Sequence, residues 1–496
     1  MTKSISLNDI SIEVSMARKL SHEYAKKFCA IPFKSDETHL HVAFGETWDA
    51  YVLRDIADVT GMPVVPYKAQ GQDVKFQIDR LLGQGFVETI ASQFLVDERI
   101  KESPDLALVQ AEVSSAPVVR LVDSILEAGI LNKASDIHIE PFGHHLRARL
   151  RIDGLLITKT MVDVALLPNV ISRLKIMGGM DIAEKRFPQD GQFSYGGTAS
   201  GVLDFRLSTL PTVDGEKAVI RLLYSDSSKL ENLGFLPDDM PHINQMFALS
   251  QGAVFLTGPT GSGKSTTLAA YLKKLNTEER NIVTIEDPVE YPQHGVNHVS
   301  VSLGSKLGFG DALKHILRQD PDVILVGEVR DSETAKLAMQ ASITGHLVLS
   351  TIHTSDAAGV VERLIDMGVP PYMVCASLHG VVSQRLVRKI CKNCKTPAKL
   401  GTLESTVLGV AAGTRVYIGS GCNLCQKTGY KTRTAVYEYL LMTEKHKQLL
   451  SSNPSGFVEE VRKKEGLKKN AIKKLLSGET TAFEILRVMN HSFGFQ

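Results

Sequence analysis

Residues 256–266 decide the fold of this chain, and their sequence is Leu-Thr-Gly-Pro-Thr-Gly-Ser-Gly-Lys-Ser-Thr. One glycine, four further residues and then Gly-Lys-Ser give the spacing of a phosphate-binding loop. Glycines let successive backbone N–H groups turn inward and form a concave nest for phosphate oxygens. The predicted nucleotide-binding residues are Gly258, Pro259, Thr260, Gly261, Ser262, Gly263, Lys264, Ser265 and Thr266.

The segments on either side of the loop predict a strand–loop–helix unit. Residues 253–256 are apolar and indicate a short buried strand, and residues 265–274 have the apolar spacing of a helix. The N-terminus of that helix adds its dipole to the phosphate site. Lys264 offers a positive charge to the β- and γ-phosphates, and Ser265 offers a hydroxyl group to Mg²⁺. We therefore expect the chain to bind ATP together with Mg²⁺.

Three further apolar segments predict strands that end in polar residues. Residues 281–285 run into Glu286, residues 322–327 run into Glu328, and residues 345–351 run toward His353. In an open parallel sheet, ligands collect at the carboxyl ends of the strands. The polar ends are therefore expected to meet at the edge that holds the phosphates, which predicts an α/β domain with a nucleotide site.

Two carboxylates are candidates for the chemistry at this edge. Glu328 follows a buried strand, and we predict that it orients the attacking water. The alternative is that it only pairs with the nearby Arg330. Glu286 is the second carboxylate, expected near Mg²⁺ or its waters, and its alternative role is to cap the turn that follows. The predicted Mg²⁺ site therefore consists of Ser265, with Glu328 or Glu286 acting through water.

Histidines and arginines complete the list of candidate catalytic residues. His353 is predicted to sense the γ-phosphate and His346 to bridge to a neighbouring element, although both could be purely structural. Positive charge must also meet the transition state, and Lys264 alone is seldom enough for fast turnover. Arg206 and Arg221, from the region before the loop, are the candidates for that charge.

The region before the loop shows strands with the period of two that is typical of a half-buried sheet. In residues 145–153 the apolar side chains share one face: Leu146, Ala148, Leu150 and Ile152. The other face carries Arg147, Arg149, Arg151 and Asp153. An arginine-rich face is either solvated or directed at phosphate or acidic neighbours, since a guanidinium group donates two parallel hydrogen bonds to such groups.

Length and composition limit the class of protein. The 496 residues suggest about three or four domains. A hydrophobic content of 43%, a charged content of 22% and a net charge of +1 are ordinary for a soluble protein and argue against a large nucleic-acid footprint. No apolar run approaches ~18 residues, and the first residues lack the apolar core of a signal peptide. We expect a cytoplasmic protein.

The predicted domain organisation has four parts. Residues 1–100 form a small α/β adaptor domain, residues 101–115 a linker, residues 116–230 an α+β sheet domain, and residues 240–496 the P-loop domain. Residues 225–240 are polar and are expected to form a second linker. The P-loop domain includes a cysteine subdomain at 388–430 and C-terminal helices at 440–496.

Four of the six cysteines form two Cys-x-x-Cys pairs with 27 residues between them: Cys391, Cys394, Cys422 and Cys425. In a reducing compartment this is the spacing of metal ligands rather than of disulfides. Four thiolates leave no open position on Zn²⁺, so the predicted zinc site is structural. Thioredoxin-like redox chemistry is the alternative, and the second pair argues against it. Cys29 and Cys375 are expected to be buried thiols.

The ordered set of motifs resembles the ATPases of type II secretion and type IV pilus assembly over residues 115–490. The resemblance rests on residues 134–140, 149–154, 188–191, 208–211, the P-loop, 286–290, 317–328 and 344–354. Gln192 departs from the pattern, because many relatives carry arginine there. The first hundred residues resemble the single recruitment domain of secretion ATPases.

This resemblance implies a homohexamer in which an N-terminal sheet domain closes on a RecA-like P-loop ATPase domain. It implies a cytoplasmic motor on the inner face of the bacterial inner membrane, docked on a platform protein and recruited to the membrane through residues 1–100. The motor would drive pilin or pseudopilin subunits out of the membrane, and the four cysteines favour assembly or export over retraction.

Two other functions stay open. One is a scaffold that binds ATP and barely hydrolyses it. The other is a nucleic-acid motor for conjugation or DNA uptake, against which the balanced charge counts. No nucleic-acid partner is expected.

Overall fold

The structure is a computed structural model of the 496-residue chain. It describes residues 3–82 with gaps at 6, 8–11, 37, 72, 76 and 79–80, and then residues 116–197, 201–224, 229–301 and 308–489. The chain divides into two compact units, residues 1–223 and residues 224–496. The linker predicted at 101–115 lies outside the described residues, and the other predicted domain boundaries remain predictions.

The first unit begins with a four-stranded sheet in the order β1-β4-β3-β2. Its strands are β1 (Lys3–Ser4), β2 (Ala30–Ser35), β3 (Leu40–Phe44) and β4 (Val64–Lys68), and its helices are α1 (Val14–Ala17), α2 (His22–Lys27) and α3 (Ala50–Thr60). β3 and β4 are parallel because α3 crosses over between them. Helix α3 begins where the carboxylate of Asp49 accepts the N–H of Val52. The mixed α/β character predicted for this region is confirmed.

A six-stranded antiparallel sheet follows in the order β7-β6-β5-β10-β9-β8. Its strands are β5 (Asp136–Phe142), β6 (His145–Ile152), β7 (Leu155–Asp163), β8 (Gln189–Gly197), β9 (Gly201–Thr212) and β10 (Gly215–Leu223), with helices α4 (Ala116–Leu131) and α5 (Leu167–Met177). Leu146, Ala148 and Leu150 are buried, as the alternation predicts.

The arginine-rich face of this sheet meets acidic residues on the neighbouring strand. The Nη2 atom of Arg147 lies 2.8 Å from a carboxylate oxygen of Glu140, and the Nη2 atom of Arg149 lies 2.6 Å from the same oxygen. Arg151 and Arg221 both lie beside Asp136, with Nε–O distances of 3.6 and 3.1 Å. The arginine-rich face is therefore directed at acidic residues within its own sheet.

The second unit contains a seven-stranded sheet in the order β13-β12-β14-β15-β11-β16-β19. Its strands are β11 (Gly252–Thr257), β12 (Ile282–Glu286), β13 (Asn297–Ser300), β14 (Val323–Val326), β15 (Leu347–Ile352), β16 (Leu378–Ile390) and β19 (Tyr430–Leu441). The first six run parallel, and β19 pairs antiparallel with β16. A separate hairpin pairs β17 (Lys395–Lys399) with β18 (Arg415–Gly419).

Helices cover both faces of this sheet: α6 (Met240–Phe247), α7 (Lys264–Leu275), α8 (Phe309–Ile316), α9 (Ser332–Ile343), α10 (Ala357–Asp366) and α11 (Pro371–Ser377), then α12 (Thr402–Leu408), α13 (Glu444–Ser452), α14 (Pro454–Lys463), α15 (Gly466–Leu476) and α16 (Ala482–Met489). Alternate residues of β11 enter two different cores, with Phe255 on one face and Leu256 on the other. Strands buried on both faces read as continuous apolar runs, which is why the sequence showed them so clearly. The predicted α/β fold class is confirmed.

The second half of the predicted linker at 225–240 contains apolar side chains that pack in the second unit. Phe235 belongs to an apolar core of the second unit, where its ring lies edge-on to Tyr437 at 4.8 Å between centroids. The backbone N–H of Leu236 donates to the Tyr437 hydroxyl at 2.8 Å. Polar composition suggested a solvated linker, but the interspersed apolar side chains bury instead.

Among the described residues, the helices are too short or too polar for any of them to cross a lipid bilayer.

Candidate nucleotide-binding site and metal centre

The P-loop connects β11 to α7 and uses its glycines where other residues would not fit. Gly261 and Gly263 have φ angles of 75° and 89°, in the region that favours glycine. A Cβ atom at Gly258 would lie 2.4 Å from the carbonyl oxygen of Gln384, so this position has no room for a side chain. Helix α7 begins at Lys264, which places its positive N-terminal end at the loop.

Lys264 is buried at the loop and is surrounded by carbonyl groups. Its ammonium donates to the carbonyl oxygens of Gly258 at 2.8 Å and Pro259 at 3.0 Å. Burial, followed by the positive charge of Arg385, lowers the pKa of Lys264 to about 8, and Glu328 opposes this change. A buried cation whose pKa is lowered in this way favours an added negative charge, so the loop suits an anionic ligand.

The hydroxyl groups of the loop also fit a phosphate ligand. The Oγ atom of Ser262 is buried, and none of the described residues provides it with a hydrogen-bond partner. A buried hydroxyl in this state can donate to a phosphate oxygen. The hydroxyl of Thr266, in contrast, lies 3.0 Å from the Tyr291 hydroxyl. The residues present therefore fit the phosphates of a nucleotide.

Three predicted site residues meet at the edge that carries the P-loop. β11, β14 and β15 are parallel neighbours, with Thr257 opposite Ile352 and Val326 opposite Ser350. Their carboxyl ends therefore lie side by side, and Glu328 and His353 come one or two residues after them. Glu286 ends β12, the next parallel strand. The convergence predicted from the strand ends is the arrangement that the structure shows.

Glu328 forms two contacts at this edge. One carboxylate oxygen lies 2.5 Å from Nη2 of Arg330, and the other lies 3.7 Å from Nε2 of His353. The pairing with Arg330 was the alternative role for this residue, and it occurs together with the His353 contact. Burial, and then the charge of Lys264, lower the pKa of His353. This lowering favours the uncharged form of the His353 ring, whereas the charge of Glu328 opposes it.

Glu286 is held by a histidine of β13. A carboxylate oxygen of Glu286 lies 3.2 Å from Nδ1 of His298, and the same nitrogen lies 2.8 Å from the hydroxyl of Thr284. Glu286 thus points its side chain along the sheet edge toward β13. Its predicted role near Mg²⁺ remains a proposal.

His346 is not brought to the P-loop of its own chain. It precedes β15, and Leu347 is opposite Gly252 at the beginning of β11. His346 therefore lies at the amino edge of the sheet, opposite the P-loop edge. Its Nδ1 atom is 2.8 Å from the carbonyl oxygen of Ala341, to which it donates. Any bridging role would have to reach an element outside this site.

Arg206 and Arg221 face each other on β9 and β10 in the first unit. The Nε atom of Arg221 donates to Asp136 at 3.1 Å, and its side chain is 59% exposed. An exposed guanidinium can turn to another anion at little cost. Their predicted role toward nucleotide remains a proposal.

Sequence reasoning missed two residues of β16 that support the P-loop. Nε2 of Gln384 donates to the carbonyl oxygen of Ser262 at 2.7 Å, and its Oε1 accepts from the hydroxyl of Thr267 at 3.1 Å. Arg385 is only 5% exposed and donates through Nη2 to the carbonyl oxygen of Ser355 at 2.5 Å. Adjacent amide and guanidinium groups inside a buried apolar strand are unusual, and that was the available signal.

The four paired cysteines form one cluster. Their Sγ atoms all lie within 4.8 Å of one another. Two cross-pair distances, Cys391 to Cys422 and Cys394 to Cys425, are both 3.8 Å. Four sulfurs around Zn²⁺ at about 2.3 Å in a tetrahedron would be about 3.8 Å apart, so the residues fit this ion.

The surroundings of the cluster suit a closed structural site. The backbone N–H groups of Cys422 and Gly429 donate to Sγ of Cys425 at 3.1 and 3.3 Å, as expected for a thiolate ligand. Three of the four cysteines are buried, so a bound Zn²⁺ would be shielded from substrates. Cys29 is buried as predicted, whereas Cys375 is only partly buried.

Two family profiles match the chain. Residues 111–487 match the family described as Type II/IV secretion system protein, and residues 2–87 match the family described as MshEN domain. Together the two matches extend over nearly all of the chain.

Several relatives are similar over most of the chain. The type II secretion system protein E of Dickeya dadantii is 40% identical over 88% of this chain and 90% of that protein. Its namesake from Pseudomonas aeruginosa is 37% identical over 97% of this chain and 98% of that protein. The type IV pilus assembly ATPase PilB of Thermus thermophilus is 42% identical over 85% of this chain, which spans about half (48%) of that protein.

Solved structures have the same fold. The pilus retraction motor PilT with bound ADP has a TM-score of 0.51 at 25% identity, over 74% of this chain and 96% of that chain. The ATPase DotB of Legionella pneumophila has a TM-score of 0.56 at 22% identity, over 74% of this chain and 95% of that chain, and it supports the fold alone. Profiles, relatives and fold agree, and the chain belongs to the type II/IV secretion system protein family, a family of ATPases.

Proposed function

We propose that this chain is a hexameric motor that couples ATP hydrolysis to assembly of a type IV pilus or a type II secretion pseudopilus. Relatives of both kinds are similar to it over most of its length. The observation that carries the proposal is the convergence of Lys264, Glu328 and His353 at one edge of the sheet.

The P-loop residues would hold ATP and Mg²⁺. Backbone N–H groups of the loop, Lys264 and the Ser262 hydroxyl offer donors to the phosphates. The Ser265 hydroxyl would bind Mg²⁺, with Glu328 or Glu286 acting through water. Bound Mg²⁺ supplies charge neutralisation at the β- and γ-phosphates.

Glu328 would orient the attacking water. The carboxylate can accept a hydrogen bond from that water and so point its oxygen toward the γ-phosphate. In its uncharged form, which the lowered pKa favours, His353 can exchange a hydrogen bond with the phosphate or the water. Arg330 neutralises Glu328 in part, so a change in that ion pair would alter its basicity.

Arg206 and Arg221 would supply positive charge to the transition state. Both lie on a sheet face rich in cations, and Arg221 is exposed. If the sheet domain closes over the nucleotide, its opening and closing would follow the nucleotide state. Unchanged ATP turnover after replacement of both arginines by alanine would remove them from the site.

The proposed partners follow from the family resemblance. They are five further copies of the chain, an inner-membrane platform protein and a membrane recruiter bound through residues 1–100. The motor would act at the cytoplasmic face of the inner membrane. His346 could take part in contacts between copies.

Phosphate release by the purified full chain with Mg²⁺ and ATP tests the proposal. We expect steady turnover that rises on assembly into hexamers and disappears in Glu328→Gln. Tight ATP binding without turnover would favour the scaffold function. Strong, salt-dependent DNA binding would favour a nucleic-acid motor.

A further inference from the structure

Arg385 lies directly beside the first glycine of the P-loop. β16 runs parallel to β11, with Ser383 opposite Thr257, so the next residues of β16 lie alongside the loop. A Cβ atom placed on Gly258 would be 3.1 Å from Nη1 of Arg385. Gln384 and Arg385 point to opposite faces of the sheet because successive side chains of a strand alternate. Gln384 therefore supports the loop from one face and Arg385 from the other.

The same guanidinium group holds the segment that carries His353. Its Nη2 atom donates to the carbonyl oxygen of Ser355 at 2.5 Å, and Nη1 donates to the carbonyl oxygen of Gln384 at 3.1 Å. Ser355 lies two residues after His353, in the connection between β15 and α10. Arg385 thus lies beside the P-loop and is hydrogen-bonded to the His353 segment.

A second tie fixes the residue in between. The Thr257 hydroxyl lies 2.7 Å from the hydroxyl of Thr354, and the backbone N–H of Thr354 donates to Thr257 Oγ1 at 2.9 Å. Two consecutive residues of the segment are therefore bound, one to the end of β11 and one to β16. The preceding residue, His353, can then vary little in its distance from Glu328.

A guanidinium group is rarely buried without a specific role. Arg385 is 5% exposed, and burial lowers its pKa, while Glu438 and Asp356 oppose this change. Asp356 caps helix α10, and Glu438 accepts the backbone N–H of Ala357 at 2.8 Å. An apolar side chain of similar size would fill this space without the cost of removing a charge from water. What it would lack is the hydrogen bond to Ser355.

We infer that Arg385 is a positioning residue for ATP hydrolysis, which holds the His353–Ser355 segment in place against the P-loop. By fixing this segment, Arg385 keeps His353 aligned with Glu328 and the P-loop, so that all three are directed at the same phosphate. The inference rests on the proposed ATPase function. It assigns Arg385 no contact with the nucleotide.

The test separates binding from turnover in the full chain. Arg385→Met keeps the apolar stem and removes both hydrogen bonds. We expect kcat to fall about ten- to hundredfold, as when a reacting group is misplaced by about 1 Å. The Kd for ADP and the melting temperature should change little, with Kd within about threefold. Arg385→Lys keeps the charge and should recover kcat in part, because one amine cannot replace both guanidinium donors.

Arg388→Met is the matched control. Arg388 lies on the same strand, is 6% exposed, and donates to Glu484 at 2.7 Å, away from the P-loop. It should lower the melting temperature and leave kcat per folded molecule within about threefold. If Arg385→Met behaves in this same way, its role is structural and the inference is wrong.

A double-mutant cycle with His353→Ala gives a second readout. If Arg385 acts through the His353 segment, the two losses in kcat overlap and the double variant is little worse than the poorer single variant. Fully multiplicative losses would overturn the inference. Absence of turnover in the unaltered chain would instead contradict the proposed ATPase function, so the two failures are distinguishable.

Discussion

The Nε2 atom of His353 lies 3.7 Å from a carboxylate oxygen of Glu328, and the two residues follow neighbouring parallel strands. The pKa of His353 is lowered by burial and by the charge of Lys264. The lowered pKa favours an uncharged imidazole, and Arg330 partly neutralises the carboxylate of Glu328 next to the cationic phosphate loop. Such a site can orient a water without repelling the phosphate.

Glu328→Gln is expected to lower phosphate release at least about hundredfold, because an amide is a far weaker acceptor for the proton of the attacking water. ATP binding should stay within about threefold. Single-turnover phosphate release and equilibrium nucleotide titration measure the two effects. Glu444→Gln, at a side chain that is 80% exposed in the first turn of α13, is the control and should behave like the unaltered chain. Turnover by Glu328→Gln at the normal rate would contradict the assignment.

Lys264→Ala should abolish turnover and pilus or pseudopilus assembly together. The ammonium is a buried positive charge that donates to two loop carbonyl groups, and its loss removes charge that the phosphates need. We expect ATP affinity to fall more than about tenfold, as measured by titration with a fluorescent ATP analogue. Lys273→Ala, at an exposed position of helix α7, should change neither turnover and assembly nor ATP affinity. Normal assembly in cells that produce only Lys264→Ala would exclude the ATP-driven function.

Metal analysis of freshly purified protein should give about one Zn²⁺ per chain, held by the four sulfurs. Bound Zn²⁺ contributes roughly 10–16 kcal/mol of apparent folding free energy in small zinc peptides. Chelation or Cys394→Ser should therefore speed hydrogen exchange in residues 388–430 before the rest of the second unit. Cys375→Ser, outside the cluster, is the control. A zinc content near zero would overturn the metal assignment.

Lys474→Met should destabilise the second unit by about 2–4 kcal/mol, because it removes a buried cation from its partners. The ammonium is 1% exposed and donates to the carbonyl oxygen of Gly234 at 2.6 Å and to the Thr434 hydroxyl at 3.0 Å. Urea denaturation measures the loss. Lys473→Met, at an exposed neighbouring position, should change stability by less than about 0.5 kcal/mol. Equal effects of the two variants would show that the buried contacts contribute nothing.

Much of the catalytic edge could be predicted because it depends on local sequence. A buried parallel strand appears as a short apolar run, and its first polar residue marks the ligand edge, as at Glu286 and Glu328. The same rule excludes His346, since it precedes its strand and so lies at the opposite edge.

The support behind the P-loop could not be predicted in this way. Gln384 contacts the loop, and Arg385 lies beside it, only because β16 pairs with β11. The two strands are more than one hundred residues apart in the chain. Such long-range pairing leaves no periodic trace in either segment. The packed stretch around Phe235 was missed for a related reason, because its partner Tyr437 is equally distant in sequence.

The cysteine cluster lies where β16 ends and just before β19 begins, so it ties the two strands together at one end of their ladder. The intervening residues 395–421 form their own hairpin and helix beyond this tie. Insertions or deletions in residues 395–421 would leave the cysteine cluster and the strands that it joins in place, because lengthening a closed loop costs little free energy. Evolution can therefore vary this projection among related machines without displacing the strand that supports the phosphate loop.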